Sequence, residues 1–389
     1  MKKVVGKLFK AKLAKNGFIN KEKACNFVES LGEPQDLLER SFFQYRYYKK
    51  LLGKTLSLAA NLRSKSKINE LIQSFRNNFR EEENKIKADA VFFDPLGLPI
   101  IPFSVKQTYD ILYLKDYNFA GMLSDDDIEY IDDVRKKYKK EPFFIAAIIR
   151  MTANYREIFC KYDIQAFIAT DEIVFATTAM TSLCRHNGIK HIGVQHGNKH
   201  YEMSSMFFCF DEFYVWEDFF KNVCIELKAE KNQFIVEMPP CGKFGFDGLS
   251  HEDGVKTDYK FFLTLSTKKE LSRLKKTAGI LKQNGKTVLI RPHPRYTDLN
   301  IVDKYFDKSD IESPSEVDIE KSIFFTENIV SIDSSVLYQA YTSGKEVIID
   351  DISNTASIIK LKNAGHIMYS ETSCKLLSHE LFAINNKKD

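Results

Sequence analysis

The sequence predicts an α/β protein of two parallel-sheet domains behind a helical N-terminal segment. Three observations predict it. First, short apolar runs ending in polar or glycine-containing loops recur in two series. "ADAVFFDPLG", "YDILYLKD", "QAFIATDE", "KHIGVQHG" and "DEFYVWED" form the first, and "YKFFLTLS", "KTVLIRPHP", "IFFTENIVSID" and "KEVIIDD" the second. Second, helical patterns lie between them, and strands alternating with helices imply a largely parallel sheet covered on both faces. Third, the stretch "MPPCGKFGFDGLSHEDGVKTD", residues 238–258, is rich in Gly, Pro and Asp, lacks periodicity and reads as a linker.

The elements follow in order. Residues 1–85 read as helix, because leucines, phenylalanines and tyrosines recur among lysines and glutamates, as in "INELIQSFRNNFREEENKI". The opening "MKKVVGKLFKAKLAKNGF" carries six lysines and no acid. Val4, Val5, Leu8 and Leu13 can share one helical face there, which suits either a solvated helix or contact with an anionic membrane surface. A first Rossmann-like domain is expected over 86–248, a second over 255–375, and a tail over 376–389. Each sheet is expected to present its strand C-terminal ends to a cleft, where ligands of such sheets bind.

Composition bounds the function. The chain has 389 residues, enough for two domains with cores, and 44% hydrophobic and 28% charged residues, a globular balance. A net charge of +4 gives no argument for nucleic acid. Seven cysteines at wide spacings, with no CxxC pair, fit a reducing cytoplasm and speak against a zinc cage. No apolar run reaches the roughly 18 residues of a membrane span, and the N-terminus lacks the pattern of a signal peptide, so a cytoplasmic protein is expected.

Two loops of the second series carry candidate chemistry. In "NIVSIDSSVLYQAYTSGK", residues 329–332 end a strand and Asp333-Ser334-Ser335 forms the turn. Val336, Leu337, Ala340 and Tyr341 then fall on one helical face, with Gly344 just past its end. The serines thus open a helix, where free N–H groups and the dipole suit a phosphate and where a serine also serves as a plain N-cap. In "VLIRPHPRYTD", His293 follows a strand between two prolines that fix the backbone and offer no N–H. A fixed imidazole can donate to a phosphoryl oxygen or a sugar hydroxyl, and Arg291 and Arg295 add charge. A solvated loop with a structural histidine is the alternative.

"RPHPR" followed by "DSSVLYQAYTSGK" resembles the HP and SS motifs of bacterial GT-B glycosyltransferases that use cytidine-nucleotide donors: sialyltransferases and polysialyltransferases, Kdo transferases, and CDP-glycerol glycerophosphotransferases. The resemblance is strongest over the second domain, moderate over 160–245 and slight over 1–85. It implies a GT-B-like fold with two Rossmann-like domains facing a cleft. It also implies nucleotide and phosphate binding by His293, Ser334 and Ser335, no metal, and no cofactor beyond the nucleotide-sugar donor. "GIKHIGVQHGNKHYE" places Gln195-His196-Gly197 directly after a strand, and the His-Gly pair resembles the loop in which the glycerophosphotransferases carry a base candidate. A neutral imidazole can take a proton from an acceptor hydroxyl, and Gly197 allows close backbone approach. His191 and His200 lie nearby without metal-ligand spacing. Asp171-Glu172 in "AFIATDEIVFATTAM" is the reserve base. The sialyltransferases carry an acidic pair followed by glycine, and Ile173 stands in that place here. Lys243 in "CGKFGFDG", a segment resembling the end of the first domain in related capsule transferases, and Ser266-Thr267 after "FFLTL" can reach the donor; a helix N-cap explains the latter equally.

The expected protein is a metal-independent, inverting glycosyltransferase of capsule or lipopolysaccharide synthesis. It would transfer a sialic-acid or Kdo type sugar from a CMP-linked donor to a glycan or glycolipid hydroxyl, in the cytoplasm or peripherally at the inner membrane. A glycerophosphotransferase, a UDP-sugar transferase, a sugar-nucleotide epimerase and a catalytically silent glycan-binding scaffold are the alternatives.

Overall fold

The computed structural model describes residues 20–93, 100–115, 117–250, 254–264, 267–294, 297–370 and 374–386. The basic stretch 1–18, Arg295 and Ser266 lie outside the described residues. The chain forms two compact units, Met1–Pro239 and Pro240–Asp389. No helix among the described residues is long and apolar enough to cross a membrane.

The first unit opens with α1 (Lys21–Glu29), α2 (Leu37–Lys65) and α3 (Ile68–Asn78). Asn20 and Asp36 cap the first two, accepting from the backbone N–H of Lys23 and Glu39. Gly53, at φ 71°, breaks α2 into two helical stretches. Residues 21–78 are thus largely helical, and these helices belong to the first unit's core. Val28 of α1 and Phe43, Tyr47 and Leu51 of α2 pack with Met206, Phe207, Val223 and Leu227. Burying each such side chain contributes about 1.5–3 kcal/mol, which fixes these helices onto the domain.

A short strand, β1 (Ile86–Lys87), precedes β2 (Ala90–Phe93), α4 (Phe103–Thr108), β3 (Ile111–Leu114), α5 (Asp125–Lys137) and α6 (Pro142–Lys161). β4 (Tyr162–Asp163) pairs with β1 in a two-stranded sheet. There follow β5 (Ala166–Ala169), α7 (Thr177–His186), β6 (Lys190–Val194), β7 (Glu212–Val215), α8 (Asp218–Glu226) and β8 (Phe234–Val236). Among the described residues the main sheet is six-stranded and parallel, in the order β3-β2-β5-β6-β7-β8. β5 is buried at every position, as a strand covered on both faces requires. Gly193 on β6 lies so close to the Phe213 ring that a Cβ would clash.

The second unit contains β9 (Thr257–Phe262), α9 (Lys268–Gln283), β10 (Val288–Arg291), α10 (Leu299–Val302), α11 (Ile319–Phe324), β11 (Thr326–Ser331) and α12 (Ser335–Thr342). β12 (Glu346–Ile349), α13 (Thr355–Asn363), α14 (Ile367–Ser370), β13 (Lys375–Leu376) and α15 (Leu377–Asn385) complete it. Its sheet is also parallel, in the order β10-β9-β11-β12-β13. The segment expected as a tail forms α15, because Leu377 and Leu381, one turn apart, enter the core with Ile290, Val330 and Ile348. The unit boundary falls at Pro239/Pro240, earlier than expected. The reason is local: the Cys241 and Gly242 carbonyls accept from Gln339 and Thr342 of α12, both at 2.7 Å, and Phe244 N–H donates to Ser343 at 2.8 Å.

In each sheet the chain starts in the middle, adds one strand on one side, then crosses to build outward on the other. The crossing point lies between β2 and β5 in the first unit and between β9 and β11 in the second. Both units are Rossmann-like, and ligands of such sheets bind at the strand C-terminal ends where the order reverses.

Candidate functional site

In the first unit the crossing places Thr170, Asp171 and Glu172 at the end of β5, beside the loop that leaves β6 at Gln195-His196-Gly197. The acid pair sits in a turn ahead of α7, closed by Val174 N–H to the Asp171 carbonyl at 2.8 Å. Gln195 anchors the other loop: its Oε1 accepts from Trp216 N–H at 3.1 Å, and its carbonyl accepts from the Trp216 indole at 3.2 Å. Gly197, at φ 69°, then turns the chain back.

Lys199, three residues past His196, joins the two loops. It is 6% exposed and forms an ion pair with Glu172, which is fully buried. Its ammonium also lies 3.5 Å from the His196 carbonyl. From α2, Gln44 donates to the Glu172 carbonyl at 2.7 Å and Tyr48 to the Ile173 carbonyl at 2.6 Å. The N-terminal helices therefore hold the acid turn in place.

This packing sets the protonation states. Burial, then the Lys199 charge, pushes the His196 imidazole below its ordinary value, with Glu172 and the Thr170 carbonyl acting against it. Burial pushes the Asp171 carboxyl up to about 6. Burial and Lys199 push His200 down to about 4. His196 Nδ1, Asp171 Oδ1 and Glu172 Oε2 are buried with no hydrogen-bond partner among the described residues. Groups left unsatisfied in this way are costly to a fold, and an ordered water, an ion or a ligand can supply the partner.

His191 is different. Thr181 gives its hydroxyl proton to the Cys209 carbonyl at 2.7 Å, so it accepts from His191 Nδ1 at 2.8 Å, and Nε2 accepts from the Tyr155 hydroxyl at 3.0 Å. The ring is a satisfied neutral imidazole, pushed down to about 3 by burial.

In the second unit the crossing is bridged directly. The Thr264 hydroxyl at the end of β9 donates to Asp333 Oδ1 at the end of β11, at 2.8 Å. A small cavity of about 60 Å³ opens here, lined by Thr264, Ser331, Asp333 and Asp350 among others. Burial lifts both carboxyls above their ordinary range. Ser334 caps α12, accepting from Val336 N–H at 3.2 Å, and Ser335 is the first helical residue. Gly344 ends the helix at φ 76°, as expected.

His293 stands half-buried at the end of β10. Its N–H donates to Thr297 at 2.9 Å, and Thr297 in turn donates to the Thr264 carbonyl at 2.7 Å. The His293 loop and the Ser334 turn therefore converge on Thr264. Thr267 is committed as the N-cap of α9 in a capping box with Glu270. Lys243 is exposed on the segment docked to α12. Arg291 departs from expectation. It is 6% exposed, and its guanidinium is taken up by Glu312 at 2.7 Å and the Val317 carbonyl at 2.8 Å. Glu312 also holds Lys260, itself 1% exposed, at 2.5 Å. These three charges form a buried network beneath the strand ends. Among the described residues no group of His, Cys, Asp and Glu has the arrangement of a metal site.

Lys199, Thr264, Gln44 and Tyr48 were not singled out from sequence. Lys199 had a local signal, a lysine on the same short loop as His196. Gln44 also had one, a polar residue among the aromatics of "SFFQYRYY". The Thr264–Asp333 bridge joins residues far apart in the chain and had none.

No protein-family model matches the sequence, and no curated protein matches it as a relative. Solved structures of similar fold include a UDP-GlcNAc 2-epimerase from Methanocaldococcus jannaschii bound to UDP-GlcNAc and UDP, at 12% identity and TM-score 0.47, covering 77% of this chain and 92% of that one. The wall teichoic acid polymerase TagF is similar at 10% identity and TM-score 0.47, covering 87% and 89%. The glycotransferase of kitacinnamycin is similar at 12% identity and TM-score 0.41, covering 78% and 95%.

Proposed function

We propose that the protein is a GT-B glycosyltransferase in which the first unit supplies the base and the second binds the nucleotide of the donor. One observation carries the reading: His196 lies at a strand C-terminal end beside a chain crossing, is disfavoured as a cation by burial and Lys199, and has a ring nitrogen that no described residue satisfies. A neutral, desolvated imidazole with an unpartnered nitrogen is suited to take a proton from an acceptor hydroxyl. Asp171, buried and lifted to about 6, is the reserve. Glu172 is committed to Lys199 and serves to position it.

In the second unit we assign the donor phosphate to Ser334, Ser335 and His293. Their loops meet at Thr264, through Asp333 on one side and Thr297 on the other. Ser266 and Lys243 are further donor contacts in this proposal, Thr267 acts through the cap it forms, and Arg291 supports the strand beneath. The resemblance of "RPHPR" and "DSSVLYQAYTSGK" to HP and SS motifs favours a CMP-linked donor, with capsule or lipopolysaccharide glycan as acceptor. Peripheral attachment at the inner membrane through residues 1–18 belongs to the same proposal.

A thermal-shift panel of CMP, CDP, UDP and GDP tests it. A cytidine nucleotide at about 100 times its dissociation constant stabilises by about 2.7 kcal/mol and outranks UDP and GDP. Equal shifts for all four remove the cytidine assignment, and no shift for any removes the nucleotide site.

A further inference from the structure

The second stretch of α2, past Gly53, is folded inside out. Its buried positions include Ser57 and Ser64, 5% and 8% exposed, while Leu58 and Leu62, one turn apart, are 62% and 63% exposed. Thr55 and Ala59 lie between them and solvent-facing Arg63 on the same exposed arc, and Lys54 and Lys65 flank its other edge. An isolated exposed leucine needs no explanation, but two in line on a helix that turns serines inward do.

The charges around them are of one sign. Residues 40–67 contain eight Lys and Arg and no Asp or Glu. Arg40 and Lys49 are paired with Glu230 and Glu141. Lys54, Arg63 and Lys65 form no ion pair among the described residues, and Arg150, also exposed, lies close enough to Arg63 to feel its charge. A second copy of this face would meet it with like charge, so self-association through it is disfavoured. The complement is an anionic surface that also accepts two leucines.

We infer that the helical stretch 54–65 is a docking surface for anionic lipid bilayers, with Leu58 and Leu62 entering the headgroup boundary and Lys54, Arg63 and Lys65 meeting the lipid phosphates. An apolar stripe flanked by cations on a helix lying in the plane of the interface is the arrangement such binding uses. The surface is distinct from residues 1–18 and independent of the proposed chemistry.

Vesicle co-sedimentation of the full chain tests it. The probes are vesicles of phosphatidylglycerol mixed with phosphatidylcholine, and vesicles of phosphatidylcholine alone. Binding is expected only to the anionic vesicles and falls as salt rises. Leu58→Gln with Leu62→Gln weakens it at least tenfold, and each of Lys54→Gln, Arg63→Gln and Lys65→Gln weakens it about fivefold, the equivalent of about 1 kcal/mol per charge. Leu299→Gln, at another exposed leucine (49%), leaves binding unchanged. Circular dichroism confirms that each variant folds. Equal binding to both vesicle types, or no binding at low salt as expected if the partner is an acidic protein, overturns the inference. So does binding that survives the double leucine variant, which would assign attachment to residues 1–18.

Discussion

Lys199 and Glu172 form an ion pair that ties the loop leaving β6 to the turn leaving β5, with the lysine side chain 7% exposed and the glutamate fully buried. The Gln195 N–H donates to the Tyr214 carbonyl of β7 at 3.0 Å, and the ion pair holds the loop four residues further on. Two desolvated charges are a costly tie, and their placement beside His196 gives that tie a chemical consequence.

Removing one partner leaves the other charge buried alone. Lys199→Met is therefore expected to destabilise by about 3–5 kcal/mol, and Lys199→Met with Glu172→Gln to recover most of it. Urea unfolding measures both. In Lys199→Met the charge that disfavours imidazolium is gone while Glu172 still favours it, so the His196 pKa rises, as does the acid limb of kcat/KM. A nitrogen-15 NMR titration reads the first effect without any substrate. An unchanged His196 titration in the folded Lys199→Met variant shows that Lys199 has only a structural role.

Asp171 gives a stability prediction of opposite sign to the usual carboxylate. Its carboxyl rises from 3.8 in the unfolded chain to about 6 in the fold. The folded state thus holds the proton more tightly, and the stability this contributes is complete below pH 3.8 and lost as pH rises through about 6. Asp171→Asn removes the buried charge, so it stabilises at pH 7 to 8 by up to about 3 kcal/mol and changes little at pH 3.8. Denaturation curves at the two pH values check it. A gain in stability with turnover retained assigns Asp171 no proton transfer; turnover lost by 10²-fold or more transfers the base role to it.

Arg291 separates core from ligand. Its guanidinium is shared between Glu312 and Val317, so Arg291→Met leaves a buried carboxylate short of a partner and is expected to cost about 3–5 kcal/mol. Nucleotide affinity of the folded fraction should stay within about twofold. A loss of affinity tenfold or greater, measured by calorimetry below the variant's melting temperature, returns Arg291 to the phosphate site.

The fold was largely legible because most strands of both series are buried on two faces and read as short apolar runs with helices between. β5, β6, β10, β11 and β12 all fall within segments marked by that pattern, and β9 begins two residues before its own, inside the expected linker. α15 was not, since Leu377 and Leu381 signal a helix only when the rest of the core is there to receive them. In the site, the side chains at strand ends were legible one at a time, as His196, Asp171, His293 and Ser334. What each is bonded to was not. Arg291 beside His293 invites a phosphate role by its neighbour, yet its direction is set by Glu312, which returns to the sheet through a long connection. Lys199 and Glu172 are 27 residues apart, and no periodicity links them.

The two loop histidines answer to different measurements. His196 is proposed to act only as the acceptor hydroxyl loses its proton. His196→Ala is therefore expected to lower kcat by about 10²–10⁴-fold with nucleotide affinity nearly unchanged. His293 is proposed to contact the donor phosphate in the ground state, so His293→Ala is expected to weaken nucleotide binding by about 1.5–3 kcal/mol, the size of a hydrogen bond to a charged group. The backbone of that loop is held by Thr297 and two prolines, neither of which needs the imidazole, so the variant should fold. Calorimetric titration of CMP into each variant, with turnover measured beside it, separates the roles. Full turnover in His196→Ala moves the base to Asp171. Parental CMP affinity in His293→Ala leaves the histidine as part of a rigid turn, and the phosphate then rests on Ser334 and Ser335 alone.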